Sequence, residues 1–96
     1  MANPKYVTLT ANAVSSVTLD AGYYNVEVLN LDGGGSAPIF FTTDGTTDPV
    51  ILQDGCQCVA AAAGSVATVE TRKGAATAPT IKLISAGTPK VQVRAL

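Results

Sequence analysis

Apolar and polar residues alternate with a period of two through most of this chain, and β-branched residues carry the alternation. Residues 6–10 place Val7 and Leu9 on one face and Thr8 and Thr10 on the other. Residues 16–19 repeat the scheme around Val17 and Leu19, and Asp20, Ala21 and Gly22 then turn the chain. Tyr24, Val26 and Val28 alternate with Tyr23, Asn25 and Glu27, which predicts a half-buried strand ending near Asn30. Ile39, Phe40 and Phe41 break the alternation within a strand expected over 37–43. Either that strand is covered on both faces, or Phe40 lies at an interface. Strands are also predicted over 66–71, 81–85 and 90–94. In the last of these, Val91 and Val93 point inward and Lys90, Gln92 and Arg94 outward.

The punctuation between these segments has a physical cause. Asp-Gly occurs at Asp32-Gly33, Asp44-Gly45 and Asp54-Gly55, at intervals that suit one short strand and its reversal. Glycine accepts positive φ, and aspartate bonds the backbone just ahead of it. Gly33, Gly34 and Gly35 read as a flexible hairpin tip, without the lysine and helix start that a phosphate cradle needs. Pro49 removes a donor and keeps residues 50–52 irregular or at an edge. The alanine run at 60–63 favours helix, but Gly64 and the flanking β-branched residues limit it to about one turn. Residues 72–79 read as an exposed loop. The sum is an all-β antiparallel sandwich of seven to eight short strands, with a small barrel as the fallback. Residues 6–96 form one domain, preceded by a flexible arm over residues 1–5.

Composition narrows the chemistry. A chain of 96 residues can bury only about 60–65% of its unfolded surface, in a single core. Charged residues are 14% of the chain, well below the usual share, so much of the surface is threonine, serine, alanine and glycine, which suits packing against protein. The net charge is −1 and the six basic residues are scattered, which argues against direct nucleic-acid binding. The longest apolar run is far shorter than a membrane-spanning helix. The amino terminus lacks the basic and apolar pattern of a secretory signal, so passage through the secretory machinery is not expected.

No catalytic or metal-binding constellation is visible, and no cofactor is expected. There is no histidine to activate a serine, and the aspartates fall at predicted turns. The rival reading of those turns is a calcium site, with Asp44, Thr46 and Asp48 joined by Asp32 or Asp54 from another loop. Cys56 and Cys58 are too close in sequence for an unstrained disulfide on a regular strand and read as reduced, half-buried residues. A redox or intermolecular disulfide role and a metal role remain as alternatives. Among the aromatics, Tyr24 and Phe41 are assigned to the core, while Tyr23 and Phe40 divide between core and contact. Tyr6, Tyr23, Phe40, Arg72 and Lys73 are the candidate protein-interface residues.

Several segments together carry a resemblance. Residues 26–30 lead through a glycine-rich loop to Ile39-Phe40-Phe41-Thr42-Thr43-Asp44-Gly45, then Ala63-Gly64-Ser65-Val66, then Ile81-Lys82-Leu83-Ile84-Ser85-Ala86-Gly87 and an alternating final strand. This order resembles small β-sandwich virion proteins of tailed double-stranded DNA phages, and most of all the capsid decoration, or cement, proteins of actinobacterial phages. The similarity covers about residues 14–95 and consists of strand and turn patterns. It implies a non-catalytic structural protein, assembled in the host cytoplasm, that binds the major capsid protein on the capsid exterior and stabilises the shell. It also implies a homo-oligomer, with a trimer favoured. The alternatives are a tail, neck or minor tail structural protein, and a free-standing carbohydrate- or protein-binding sandwich module.

Overall fold

The computed structural model describes residues 4–51, 56–70 and 78–96. Eight strands follow in order: β1 (Lys5–Thr8), β2 (Ser15–Thr18), β3 (Asn25–Asn30), β4 (Ile39–Thr42), β5 (Gln57–Val59), β6 (Val66–Glu70), β7 (Thr80–Ser85) and β8 (Lys90–Ala95). They form two antiparallel four-stranded sheets, ordered β1-β8-β3-β6 and β2-β7-β4-β5. The pairs β1 with β8, β2 with β7, β3 with β6 and β4 with β5 describe one long hairpin, its tip between β4 and β5, wound up so that successive pairs fall in alternate sheets. That winding is the jelly-roll form of the β-sandwich.

Period-two alternation builds the core between the sheets. The first sheet contributes Val26, Val28, Val91, Val93 and Ala95, and the second Val17, Ile39, Phe41, Val59, Ile81 and Leu83. Leu9 and Leu19 add to this core from just beyond the ends of β1 and β2. Burying each of the larger side chains contributes about 1.5–3 kcal/mol. Only Asn30 and Ser85 are buried polar residues among those described, and both sit at the inward positions where β3 and β7 end. Asn30 Nδ2 donates to the carbonyls of Ala60 (3.1 Å) and Ala61 (3.3 Å), and Oδ1 accepts from the N–H of Gly33 (2.8 Å). Ser85 Oγ accepts from the N–H of Gly87 (3.1 Å).

Several sequence expectations change at this end of the sandwich. The glycine run is no hairpin tip, because β3 and β4 lie in different sheets and the connection crosses between them. It is also closely packed. A Cβ on Gly87 would lie 2.6 Å from the Gly34 carbonyl oxygen, and one on Gly35, at φ +78°, would lie 2.6 Å from Gly87 Cα. The alanine run forms bends and a turn instead of helix, since its carbonyls are taken by Asn30 and by Ser65 N–H. Of the Asp-Gly turns, Asp32-Gly33 lies in a crossover, Asp44-Gly45 belongs to the reversal between the paired strands β4 and β5, and Asp54-Gly55 lies outside the described residues. β5 was not expected as a strand, and it completes the edge of the second sheet beside β4. At the amino terminus Lys5 is not part of an arm: it pairs with Val93 as the first residue of β1.

Replacing Asn30 with alanine strands two carbonyls and one N–H at a buried site, and should lower unfolding stability by about 2–4 kcal/mol. Gly87→Ala forces backbone apart and should cost about 1–3 kcal/mol. Both losses are read from urea denaturation midpoints, and a stability unchanged in either variant contradicts the role given to Asn30 or to the Gly34–Gly87 packing.

Candidate functional site

The oxygen-rich loop after β4 is organised by its own aspartate. Asp44 Oδ1 accepts from the N–H groups of Thr46 (3.0 Å) and Thr47 (2.8 Å), and Oδ2 accepts from the Thr47 hydroxyl. Asp48 is held by Lys82 Nζ at 2.9 Å, and the same ammonium reaches the Thr46 carbonyl. Thr42 Oγ1 donates to the Thr47 carbonyl, so the loop folds back over the outer face of the second sheet. Asp32 lies on the connection before β4, at the opposite end of that strand from Asp44. Its Oδ1 accepts from Gly34 N–H (3.0 Å) and Lys90 N–H (2.9 Å). The calcium set is therefore not brought together: Asp32 is at one end of the sandwich, and Asp44 and Asp48 are at the other. Asp54 lies outside the described residues. Among the described residues, no group of three or more His, Cys, Asp or Glu is placed to hold a metal ion.

The candidate contact residues separate in the same way. Tyr6 is 58% exposed on the outer face of β1. Tyr23 is exposed on the connection between β2 and β3. Phe40 points outward from β4 yet is only 7% exposed, as is its cross-strand neighbour Ile84 to a similar degree. The strand is thus covered on both faces, and Phe40 has little surface left for a partner. Arg72 and Lys73 lie outside the described residues. Cys56 and Cys58 are not joined by a disulfide; Cys56 is half-buried, and Cys58 is exposed rather than half-buried.

Tyr24 corrects the expectation that it joins the core: it is 58% exposed. Parity with Val26 would turn it inward, but the strand begins one residue later. The N–H groups of Tyr24 and Asn25 both donate to the Leu96 carbonyl, and Leu96 N–H donates back to Asn25. Tyr24 therefore stands at the rim, past the last layer of core residues, where it joins Tyr23 and the exposed Leu96 at one end of the molecule. A second apolar group was also missed. The register aligns Tyr6, Gln92, Leu29 and Val66 in one row across the outer face of the first sheet, with Val66 54% exposed. The signal was present in the parity of Val66 with Thr68 and Glu70, which turns all three outward. Beside this row, Arg94 Nε donates to Glu27 Oε1 (2.9 Å) and Nη2 to Oε2 (3.3 Å).

No protein-family model matches the chain, and no curated protein matches it. Among solved structures, it is similar to the solution NMR structure of a de novo designed double-stranded β-helix, with a TM-score of 0.56 over 95% of each chain and 17% sequence identity. At that identity the likeness concerns the fold alone.

The two backbone N–H groups on Asp32 favour its ionised form and lower its pKa from the ordinary carboxylate value. The resulting stabilisation is fully present above the unfolded pKa of about 3.9 and is lost as pH falls through the lower folded value. Asp32→Asn should remove that part of the acid dependence. Comparing the urea midpoints of the two proteins from neutral to acid pH checks this: their difference should shrink as pH falls, and a difference constant across the range contradicts it.

Proposed function

We propose that the chain is a non-catalytic structural protein of a tailed-phage virion that binds the outer capsid surface and stabilises the shell. The observation that carries this reading is the apolar end formed by Tyr23, Tyr24 and Leu96, which is held in place by the backbone bonds between Asn25 and Leu96. Exposed tyrosines on a fixed backbone are suited to protein contact, because they present large area at small cost in side-chain entropy. The surroundings support the same reading. The loop aspartates are engaged in loop geometry, and buried polar side chains among the described residues all have partners. The resemblance in strand and turn order supplies the class of partner, a major capsid protein.

The test uses particles of the phage that encodes the chain, imaged with and without it. Density on the shell is expected, and purified chain added to bare shells should restore it. Tyr23→Asp combined with Tyr24→Asp should weaken shell binding at least about tenfold, with the fold unchanged by circular dichroism. Density on the tail instead would overturn the capsid assignment, and absence from particles would overturn the virion reading as a whole.

A further inference from the structure

The outer face of the first sheet has an internal symmetry that its neighbours lack. Its strands run β1-β8-β3-β6, and rows of outward positions cross them, ending at Asn25 and Glu70 beside the rim. One row reads Tyr6, Gln92, Leu29, Val66, with the large apolar groups at the two edges and a third between them. The row beside it runs from Arg94 on β8 through Glu27 on β3 to Thr68 on β6. On the other side Lys90 on β8 lies level with Leu31, whose N–H donates to the Lys90 carbonyl. The outer face of the second sheet differs: its loop after β4 is tied down at Thr42 and Lys82, and the large apolar residues on it, Phe40 and Ile84, are almost fully buried.

We infer that this open face is an isologous interface between two copies of the chain, related by a two-fold axis parallel to the strands and midway between β8 and β3. Such an axis lays each row on itself in reverse. Tyr6 then faces Val66 of the partner subunit, and Gln92 faces Leu29 of the partner subunit. The charges complement each other under the same operation: Arg94 faces Glu27 of the partner subunit and Glu27 faces Arg94 of the partner subunit, so two ion pairs become a four-charge cluster of alternating sign. Lys90 is brought against Leu31 of the partner subunit, where its aliphatic stem can cover apolar surface while the ammonium reaches water. No like-charged pair is set directly opposite in these rows. Four strands at about 4.8 Å spacing give a face about 19 Å wide, enough to bury about 600 Å² per copy. That is the low end for a specific interface and fits a reversible dimer. The face complements itself under two-fold rotation, so the free homo-oligomer is a dimer and not the trimer that the resemblance implies. The inference does not depend on capsid binding, which was assigned to Tyr23, Tyr24 and Leu96 at the rim that adjoins the Arg94–Glu27 row.

Tyr6 and Val66 lie on the two edge strands of the sheet, about 14 Å apart, and cannot pair within one copy. Sedimentation velocity of the full chain from about 1 µM to about 200 µM should show a monomer–dimer equilibrium. Tyr6→Glu alone and Val66→Lys alone should each weaken dimerisation at least about tenfold, and the two substitutions in one chain should restore it, because each new carboxylate faces a new ammonium of the other copy. Val66→Thr keeps the branched shape and should weaken dimerisation about threefold, which keeps the test available where a charged variant fails to fold. A wild-type monomer throughout the range, a dimer indifferent to the single substitutions, or a double variant no tighter than the singles would each overturn the inference.

Discussion

A polar side chain in a sealed position has to satisfy its own hydrogen bonds, and at Asn30 that requirement sets one whole end of the molecule. The residue is fully buried, and its amide can be satisfied only if the turn through Ala60 and Ala61 and the turn through Gly33 both come to it. Its main chain repeats the connection, accepting from Gly64 N–H (2.7 Å) and donating to the Ser65 carbonyl (2.9 Å). The glycine connection held this way is then close enough to the turn between β7 and β8 for Thr88 N–H to reach the Gly34 carbonyl, and for side chains to be excluded at the crossing. Asn12 N–H bonded to the Ser85 carbonyl ties in the connection between β1 and β2. Four connections that cross between sheets thus form one body, and the sheets they join are fixed in relative position. A wound topology needs some such device, because its consecutive strands mostly cannot pair with each other and the crossovers alone decide how the sheets face.

That arrangement also determines which surface remains available. The end closed by Asn30 and the glycines is consumed by contacts within the chain. On the outer face of the second sheet the loop after β4 is pulled down at Thr42 and Lys82, and Phe40 and Ile84 beside them are almost fully buried. What is left is the outer face of the first sheet and the rim where β3 starts and β8 ends. Large apolar side chains stand exposed at both: Tyr6 and Val66 on strands of the face, and Tyr23, Tyr24 and Leu96 at the rim, with Val14 and Val50 exposed singly on other connections.

The sequence was most legible where one physical rule acts alone. Alternation located seven of the strands and nearly every core side chain, because a strand facing solvent on one side leaves period two with little competition. Legibility failed where distant parts of the chain compete for the same groups. Asp-Gly at 32–33 signals a turn correctly but cannot say whether the strands it joins will pair, and here they fall in different sheets. The alanine run has helix propensity, which loses to carbonyls claimed by a buried amide thirty residues earlier in the chain. For the candidate surfaces, outward parity was readable at Tyr6 and Val66, yet their alignment into a row depends on the register through β8 and β3, which no local pattern encodes. Phe40 shows the opposite limit: its outward direction was legible, while its burial was only one of the two readings the sequence left open.

The few charges of this chain further constrain how it can recognise anything. Asp32 binds the N–H groups of Gly34 and Lys90, Asp44 binds those of its own loop, Asp48 is bridged to Lys82, and Glu27 is bridged to Arg94. These groups are oriented by the fold before a partner arrives, and each already has its opposite charge or its donors beside it. A field built from such local pairs falls off quickly, so it does little to steer a partner from a distance. Discrimination then rests on contact: on whether a surface can match the spacing of tyrosines and valine that strand register sets, and can meet Glu27 and Arg94 with charges in the reverse order. Shape and register at short range take the part that net charge has in strongly ionic interfaces. For a protein whose surface is rich in threonine, serine, alanine and glycine, the rigid backbone imposed through Asn30 is therefore what makes selective contact achievable.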